Sequence, residues 1–437
     1  MLNFDVMKKM IDEGQFSKSF GEVHTVSGPL LISKGPICEI GDMCVVGEKK
    51  IPCEVFALKQ NRTTETTDVY LMPLVHTKSI KVNDTVYVEK STIKVPDVNR
   101  LLGRVMNGMG EFIDHHPTTH LGVKEIEIDR NPPNALERPM IKEVMPTGIK
   151  AIDGMLTIGE GQRIGIFAGS GVGKSTLLGQ IAKYAEADVN VFALVGERGR
   201  EVMTFMERDL GPEGLKRSVC VIATSDETPL MRMKAAQFAT SIAEEFREQG
   251  KKVLLMMDSV TRFAMAKKEM DLLTGELAPG GKTPSMESSI MRLLERAGRN
   301  QKGSITGIYT VLVENDDMNG AIPDMVRGTL DGHIVLTRKL ADAGHFPSID
   351  VMASKSRVMD DIVTDEHLEY ARLVNNTLAK YKEFEDFFAI GDYKMGRNKE
   401  MDFVKHFTPL INQFLQQGRQ ERVEFHESVE KMKGLFK

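Results

Sequence analysis

Tryptophan is absent from the chain, tyrosine occurs only seven times and cysteine only four times. Cys38, Cys44, Cys53 and Cys220 show no C-x-x-C spacing and no histidines placed to complete a zinc site, so neither a disulfide scaffold nor a zinc ribbon is indicated. An excess of positive charge is also missing. Lys plus Arg number 57 against 62 Asp plus Glu, a net of −5, so no global field holds a polyanion and no nucleic acid is expected as a partner. No uninterrupted apolar run reaches the roughly 18 residues that a membrane span needs. In the opening stretch, Leu2, Val6, Met7, Met10 and Ile11 recur at helical spacing but Asp5, Lys8, Lys9 and Asp12 interrupt them. That pattern argues against a signal peptide, and residues 1–20 are read as a docking segment on a cytoplasmic protein.

What is present is ordinary globular material: 41% hydrophobic and 27% charged residues spread over 437 positions, too many for one core. Residues 21–95 carry short β-rich runs such as TVSGPLLI, DTVYVEK and TIKV between Gly, Pro, Asn and Asp, the pattern of a small β-barrel or sandwich. The proline-rich segment from Arg130 to Pro146 fits neither helix nor sheet and is expected to be an irregular connection. Apolar runs then alternate with amphipathic helical stretches, which places an α/β domain with a parallel sheet over residues 96–365. Residues 366–437 carry apolar positions every three or four residues and are expected to form a small helical domain.

Within the α/β region, AGSGVGKST follows the apolar run RIGIF and precedes a helical stretch, the context in which a phosphate-binding loop is credible. Gly169, Ser170, Gly171, Val172 and Gly173 would turn successive backbone amides toward phosphate oxygens, with the helix N-terminus behind them. Lys174 would bridge the β- and γ-phosphates of ATP, Ser175 would ligate Mg2+, and Thr176 completes the expected nucleotide-binding run. Ala168 stands where the strict pattern has its first glycine.

Two acids end apolar runs, Glu197 after VFALV and Asp258 after VLLMM, and the carboxyl ends of parallel strands share one edge of a sheet. Asp258 suits a magnesium-holding acid, with a helix N-cap as its plainer alternative. Glu197 could polarise a water for attack on the γ-phosphate, or could simply pair with Arg198. Arg198 and Arg262 closely follow these acids, and a guanidinium near the γ-phosphate would neutralise charge that develops during transfer; either could instead be a structural ion-pair partner.

The run PSIDVMASKS from Pro347 resembles the signature of the α and β subunits of F-type and V-type ATPases. With GERGRE, DSVTR, LLERAG, GSIT, VLVENDDMN and DGHIVLTR, it makes the chain resemble the type III secretion ATPases, most closely the flagellar export branch. The resemblance implies a RecA-like P-loop ATPase core between an N-terminal β-barrel and a small helical C-terminal domain, assembled as a homohexamer. It also implies Arg357 as an arginine finger reaching the neighbouring subunit's nucleotide, and Phe346 as the aromatic stacked on adenine. Expected partners are a regulator, a central stalk, chaperone–substrate complexes and a membrane export gate, at whose cytoplasmic face the protein would sit. Plainer alternatives are an intramolecular salt bridge for Arg357 and a core position for Phe346.

One departure stands out: the family commonly has Gly-Tyr-Pro-Pro-Ser where this chain reads GGKTPSM, with Lys282 at the usual tyrosine position. The virulence-type secretion ATPases share these motifs and are the alternative reading; two more distant ones are a catalytic subunit of a rotary ATP synthase and an RNA translocase. Of these two, the short helical C-terminus and the wording of GERGRE and DDMN disfavour the first, and the acidic balance disfavours the second. His115, His116 and His120 lie in a loop-like stretch without a carboxylate cage and are not expected to bind metal.

Overall fold

The computed structural model describes residues 20–61, 66–76, 78–89, 93–114, 116, 123–314, 317–389 and 393–437. All of the docking segment except Phe20 lies outside the described residues, as do His115 and His120.

Six strands close into a barrel: β1 (Phe20–Ser27), β2 (Leu30–Lys34), β3 (Met43–Val46), β4 (Ile51–Asn61), β5 (Thr66–Pro73) and β6 (Thr85–Val88). Their order is β1-β2-β5-β4-β3-β6, with β6 pairing back onto β1. Period-two alternation drives the closure: Gly21 and Val23 are buried while Phe20, Glu22 and His24 are exposed. Val23, Leu31, Val55, Val69, Leu71 and Val86 fill the interior. The TIKV run, expected in this barrel, instead forms β7 (Ile93–Pro96), which pairs antiparallel with β9 (Val123–Ile126). The reason is topological, since a closed barrel leaves no free edge for a further strand.

A larger sheet carries the site. It comprises β8 (Val105–Met106), β10 (Arg163–Ala168), β11 (Val189–Glu197), β12 (Ser218–Thr224), β13 (Lys252–Asp258), β14 (Gly298–Arg299), β15 (Ser304–Leu312), β16 (Gly332–Leu336) and β17 (Ile349–Ser356). The order is β17-β16-β10-β15-β13-β11-β12-β8, with β14 beside β15; all strands are parallel except β14 and β17. Burial on both faces explains why β11 reads as a continuous apolar run rather than an alternating one. Val191, Ala193 and Val195 face one core with the helix Pro229–Glu248; Phe192 and Leu194 join the other with the helix Lys174–Tyr184.

Between Arg130 and Pro146 the only regular structure is the short 3-10 turn Ala135–Glu137. Helices Asp365–Ala389, Lys399–Leu415 and Phe425–Gly434 form the C-terminal region. They press closely on the helix Lys150–Met155: a Cβ at Gly154 would lie 3.1 Å from Phe414 Cζ, and a His367 ring nitrogen donates to the Gly154 carbonyl at 2.7 Å.

Candidate nucleotide and catalytic site

Strand β10 ends at Ala168, and the chain turns through Gly169–Gly173 into the helix Lys174–Tyr184. Gly171 and Gly173 have φ of +78° and +91°, a region that side chains with a Cβ rarely adopt, so these two glycines permit the turn. The Val172 side chain is buried in the core, and its carbonyl accepts a 2.6 Å bond from Ser348 Oγ. Of the expected phosphate-loop residues, Val172 therefore has only its backbone amide to offer a ligand.

The parallel register sets Leu194 of β11 opposite Asp258 of β13, which brings the two acidic strand ends to one lip of the sheet. A register shift between Val195 and Glu197 marks a bulge, with Gly196 at φ +70° inside it. Bulges re-aim side chains. Lys174 Nζ reaches across the end of β15 to lie 2.5 Å from Asp258 Oδ1 and 3.5 Å from Glu197 Oε1. The first is a hydrogen bond. The second is an ion pair without hydrogen-bond geometry, because Glu197 Oε1 is buried and has no hydrogen-bond partner. A buried acceptor left open beside a cavity suits a donor brought by a ligand, such as a water O–H.

Electrostatics follow from this crowding. Burial opposes the Lys174 ammonium, but the Asp258 and Glu197 carboxylates outweigh it, so its pKa is raised overall. Burial, reinforced by the Asp258 charge, pushes the Glu197 carboxyl up to about 7, and Lys174 offsets this only in part. The plainer alternatives for both acids do not match the contacts. Ser259, not Asp258, caps the helix Val260–Leu273, and Glu197 meets Lys174 rather than Arg198.

A cavity of about 970 Å³ opens at this lip, lined by Gly169, Ser170, Gly171, Gly173, Lys174, Ser175 and Thr176 together with Glu197, Arg198 and Arg262. The Arg262 side chain packs against Gly196, where an added Cβ would lie 2.8 Å from Arg262 Cβ, and its Nε is buried without a partner. Glu201, Arg208 and Arg338 also line the cavity and were not foreseen. Arg338 follows the end of β16, so extending the strand-end rule used for Glu197 and Asp258 to β16 would have found it. Arg208 and Glu201 carry no such signal.

A second cavity, of about 400 Å³, adjoins the first through Gly173 and Thr176 and is flanked by Phe346. Phe346 is 46% exposed, which removes the core alternative, and a Cβ on Gly173 would lie 3.5 Å from its ring. The Phe346 ring thus lines a cavity continuous with the glycine loop. Gln417, Gly418 and Arg419 from the helical region form the opposite wall. They are tied in by Gln417 N donating to the Phe346 carbonyl at 2.9 Å and Gln180 Nε2 donating to the Gly418 carbonyl at 3.0 Å.

Arg357 does not join its own chain's site. β17 runs antiparallel and pairs Ser356 with Gly332, so Arg357 sits at the amino end of β16, on the opposite lip. Six residues of strand put that lip about 20 Å from the glycine loop. Arg357 is exposed, and its one side-chain hydrogen bond among the described residues is a long 3.4 Å contact to the Arg327 carbonyl.

No group of three or more acids, histidines or cysteines able to hold a metal occurs among the described residues. Ser175 and Asp258 nonetheless supply hard oxygen donors of the kind that suits Mg2+ shared with phosphate oxygens.

Comparison with known proteins shows the family. Residues 148–356 match the ATP synthase alpha/beta family, nucleotide-binding domain, and residues 363–434 match the T3SS EscN ATPase C-terminal domain. The chain is 47% identical over 424 residues to the flagellum-specific ATP synthase of Bacillus subtilis (strain 168), covering 96% of this chain and 95% of that one. Among solved structures, the assembled ATPase EscN from the enteropathogenic E. coli type III secretion system superposes with a TM-score of 0.89 at 43% identity. It covers 95% of this chain and 100% of that one. The same ATPase in complex with its central stalk EscO gives 0.87 at 42% identity, with the same coverage.

Proposed function

The chain belongs to the family of flagellum-specific and type III secretion ATPases, and from that membership we propose that it hydrolyses Mg-ATP to drive flagellar type III protein export. The observation that carries the site assignment is the convergence of Lys174, Glu197 and Asp258 on one lip, within 3.5 Å of the lysine ammonium.

In this mechanism Lys174 leaves Asp258 for the β- and γ-phosphates of ATP, whose charge replaces that of the carboxylates. Ser175 and Asp258 would hold the magnesium ion, which would supply positive charge against the developing phosphate charge. Glu197 accepts the proton of a water whose oxygen bonds to the γ-phosphorus as the β–γ bridging bond breaks. Arg198 and Arg262 neutralise the transferring group, Arg262 having an unpartnered Nε at the cavity. Phe346 stacks on adenine. Arg357, turned away from its own nucleotide, completes the site of the next chain in a homohexamer. The remaining partners are a regulator, a central stalk, chaperone–substrate complexes and the membrane export gate. The protein is placed at the cytoplasmic face of the membrane export apparatus; among the described residues no helix is long and apolar enough to cross a membrane.

A shared site makes a direct test available. Arg357→Ala and Lys174→Ala proteins are each expected to be inactive, yet mixing them equally should restore about a quarter of wild-type activity. Half of the subunits retain the loop, half of their neighbours retain the arginine, and the two odds multiply in a randomly assembled ring. A mixture no more active than either variant would remove Arg357 from the neighbour's site.

The Glu197 shift predicts a pH profile as well. A base must be ionised, and a carboxyl held at about 7 is mostly protonated below that pH. The value of kcat/KM for Mg-ATP should therefore fall about tenfold per unit below pH 7 and level off above it. A flat profile between pH 5.5 and 8 would contradict the assignment.

A further inference from the structure

Asp258 receives two hydrogen bonds, and both fall on the same oxygen. Lys174 Nζ donates to Oδ1 at 2.5 Å and Thr310 Oγ1 donates to Oδ1 at 2.7 Å; among the described residues no donor engages Oδ2. Thr310 lies on β15, the strand that separates the glycine-loop strand from the Asp258 strand, and its side chain is completely buried. Its hydroxyl has one other acceptor in reach, the Met257 carbonyl at 3.3 Å. A single proton favours the shorter bond to the charged carboxylate. Packing alone would accept valine here, which has the same shape, so the hydroxyl is the informative part of this residue.

The two donors differ in what they can do next. Lys174 is a long side chain at the mouth of a cavity and turns to the phosphates when ATP arrives. Thr310 has a single side-chain torsion in the middle of a sheet and stays where it is. Once the lysine has left, the threonine hydroxyl is the donor that remains on Oδ1. An aspartate without such an anchor turns freely, because its terminal torsion is broad. We propose that Thr310 is a positioning residue for magnesium: it holds Oδ1 of Asp258, fixes the plane of the carboxylate and reserves Oδ2 for the water shell of the ion. This rests on reading Asp258 as the magnesium-holding acid.

The test uses the full-length protein, a non-hydrolysable fluorescent ATP analogue and a Mg2+ titration, repeated in EDTA. Thr310→Val is expected to raise the Mg2+ concentration for half-maximal enhancement of binding about tenfold, as loss of a partner behind a metal ligand commonly does. Affinity for the analogue in EDTA should stay unchanged, and Thr310→Ser should restore the wild-type midpoint. Should Thr310→Val not fold, Thr310→Cys, whose thiol is a weak donor, carries the same expectation.

An unchanged Mg2+ midpoint overturns the proposal, as does an equal loss of affinity in EDTA, which would mark a purely structural role. Asp258→Asn separates the two levels. If it leaves the Mg2+ midpoint unmoved, the reading of Asp258 itself fails; if it shifts the midpoint and Thr310→Val does not, only the role of Thr310 fails.

Discussion

Glu197→Gln is expected to bind Mg-ATP normally and to hydrolyse it about a thousandfold more slowly, the scale lost when a positioned base is removed. Glutamine keeps the size of the side chain and can still hydrogen-bond a water, but it accepts no proton. Burial and the Asp258 charge both oppose ionisation of Glu197, and the ion pair with Lys174 offsets them only in part, so the fold gains little from the negative charge. The substitution should therefore leave the melting temperature unchanged or slightly higher, which separates a catalytic defect from a folding one. Single-turnover hydrolysis together with equilibrium binding of a fluorescent ATP analogue measures both quantities. Turnover within about tenfold of wild type would assign the base elsewhere.

Lys174→Ala is expected to abolish measurable ATP binding, because it removes the charge that answers the phosphates. It also strands Glu197 and Asp258 together in a mostly buried site. Removing one partner of a buried ion pair typically costs about 3–5 kcal/mol, but here Glu197, already raised to about 7, can escape the repulsion by taking up a proton. That escape sets the sign of the pH dependence. A carboxyl with a folded pKa above its unfolded value holds its proton more tightly when folded, so stability is present at low pH and is lost as pH rises through the folded value. The variant should accordingly melt near its wild-type temperature at pH 6 and fall further behind it at pH 8. A constant deficit across that range would mean that Lys174 does not screen the two acids.

Much of this site could be read from the sequence because its central parts are either contiguous or placed by a simple rule. The glycine loop is one unbroken segment, and Glu197 and Asp258 each end an apolar run, so parallel strands alone put them on one edge. What escaped the sequence depends on strand order and on distant pairings. Thr310 touches Asp258 only because β15 lies beside β13, and Arg338 reaches the cavity only because β16 lies beside β10. Gln417 and Gly418 face Phe346 across some 70 residues of chain, joined by hydrogen bonds that no periodicity announces. The TIKV run had the right local character for a strand and the wrong partner, because closure of the barrel is a property of all six strands together.

The reversed direction of β17 also bears on how many chains work at once. If every catalytic centre is finished by a residue from next door, completed centres are counted by seams between subunits and not by subunits. A closed circle has as many seams as members, whereas an arc with one gap has one fewer. The chain at the open end of such an arc holds its ATP unhydrolysed until the gap shuts, and ring closure becomes the event that releases the stored nucleotide to react.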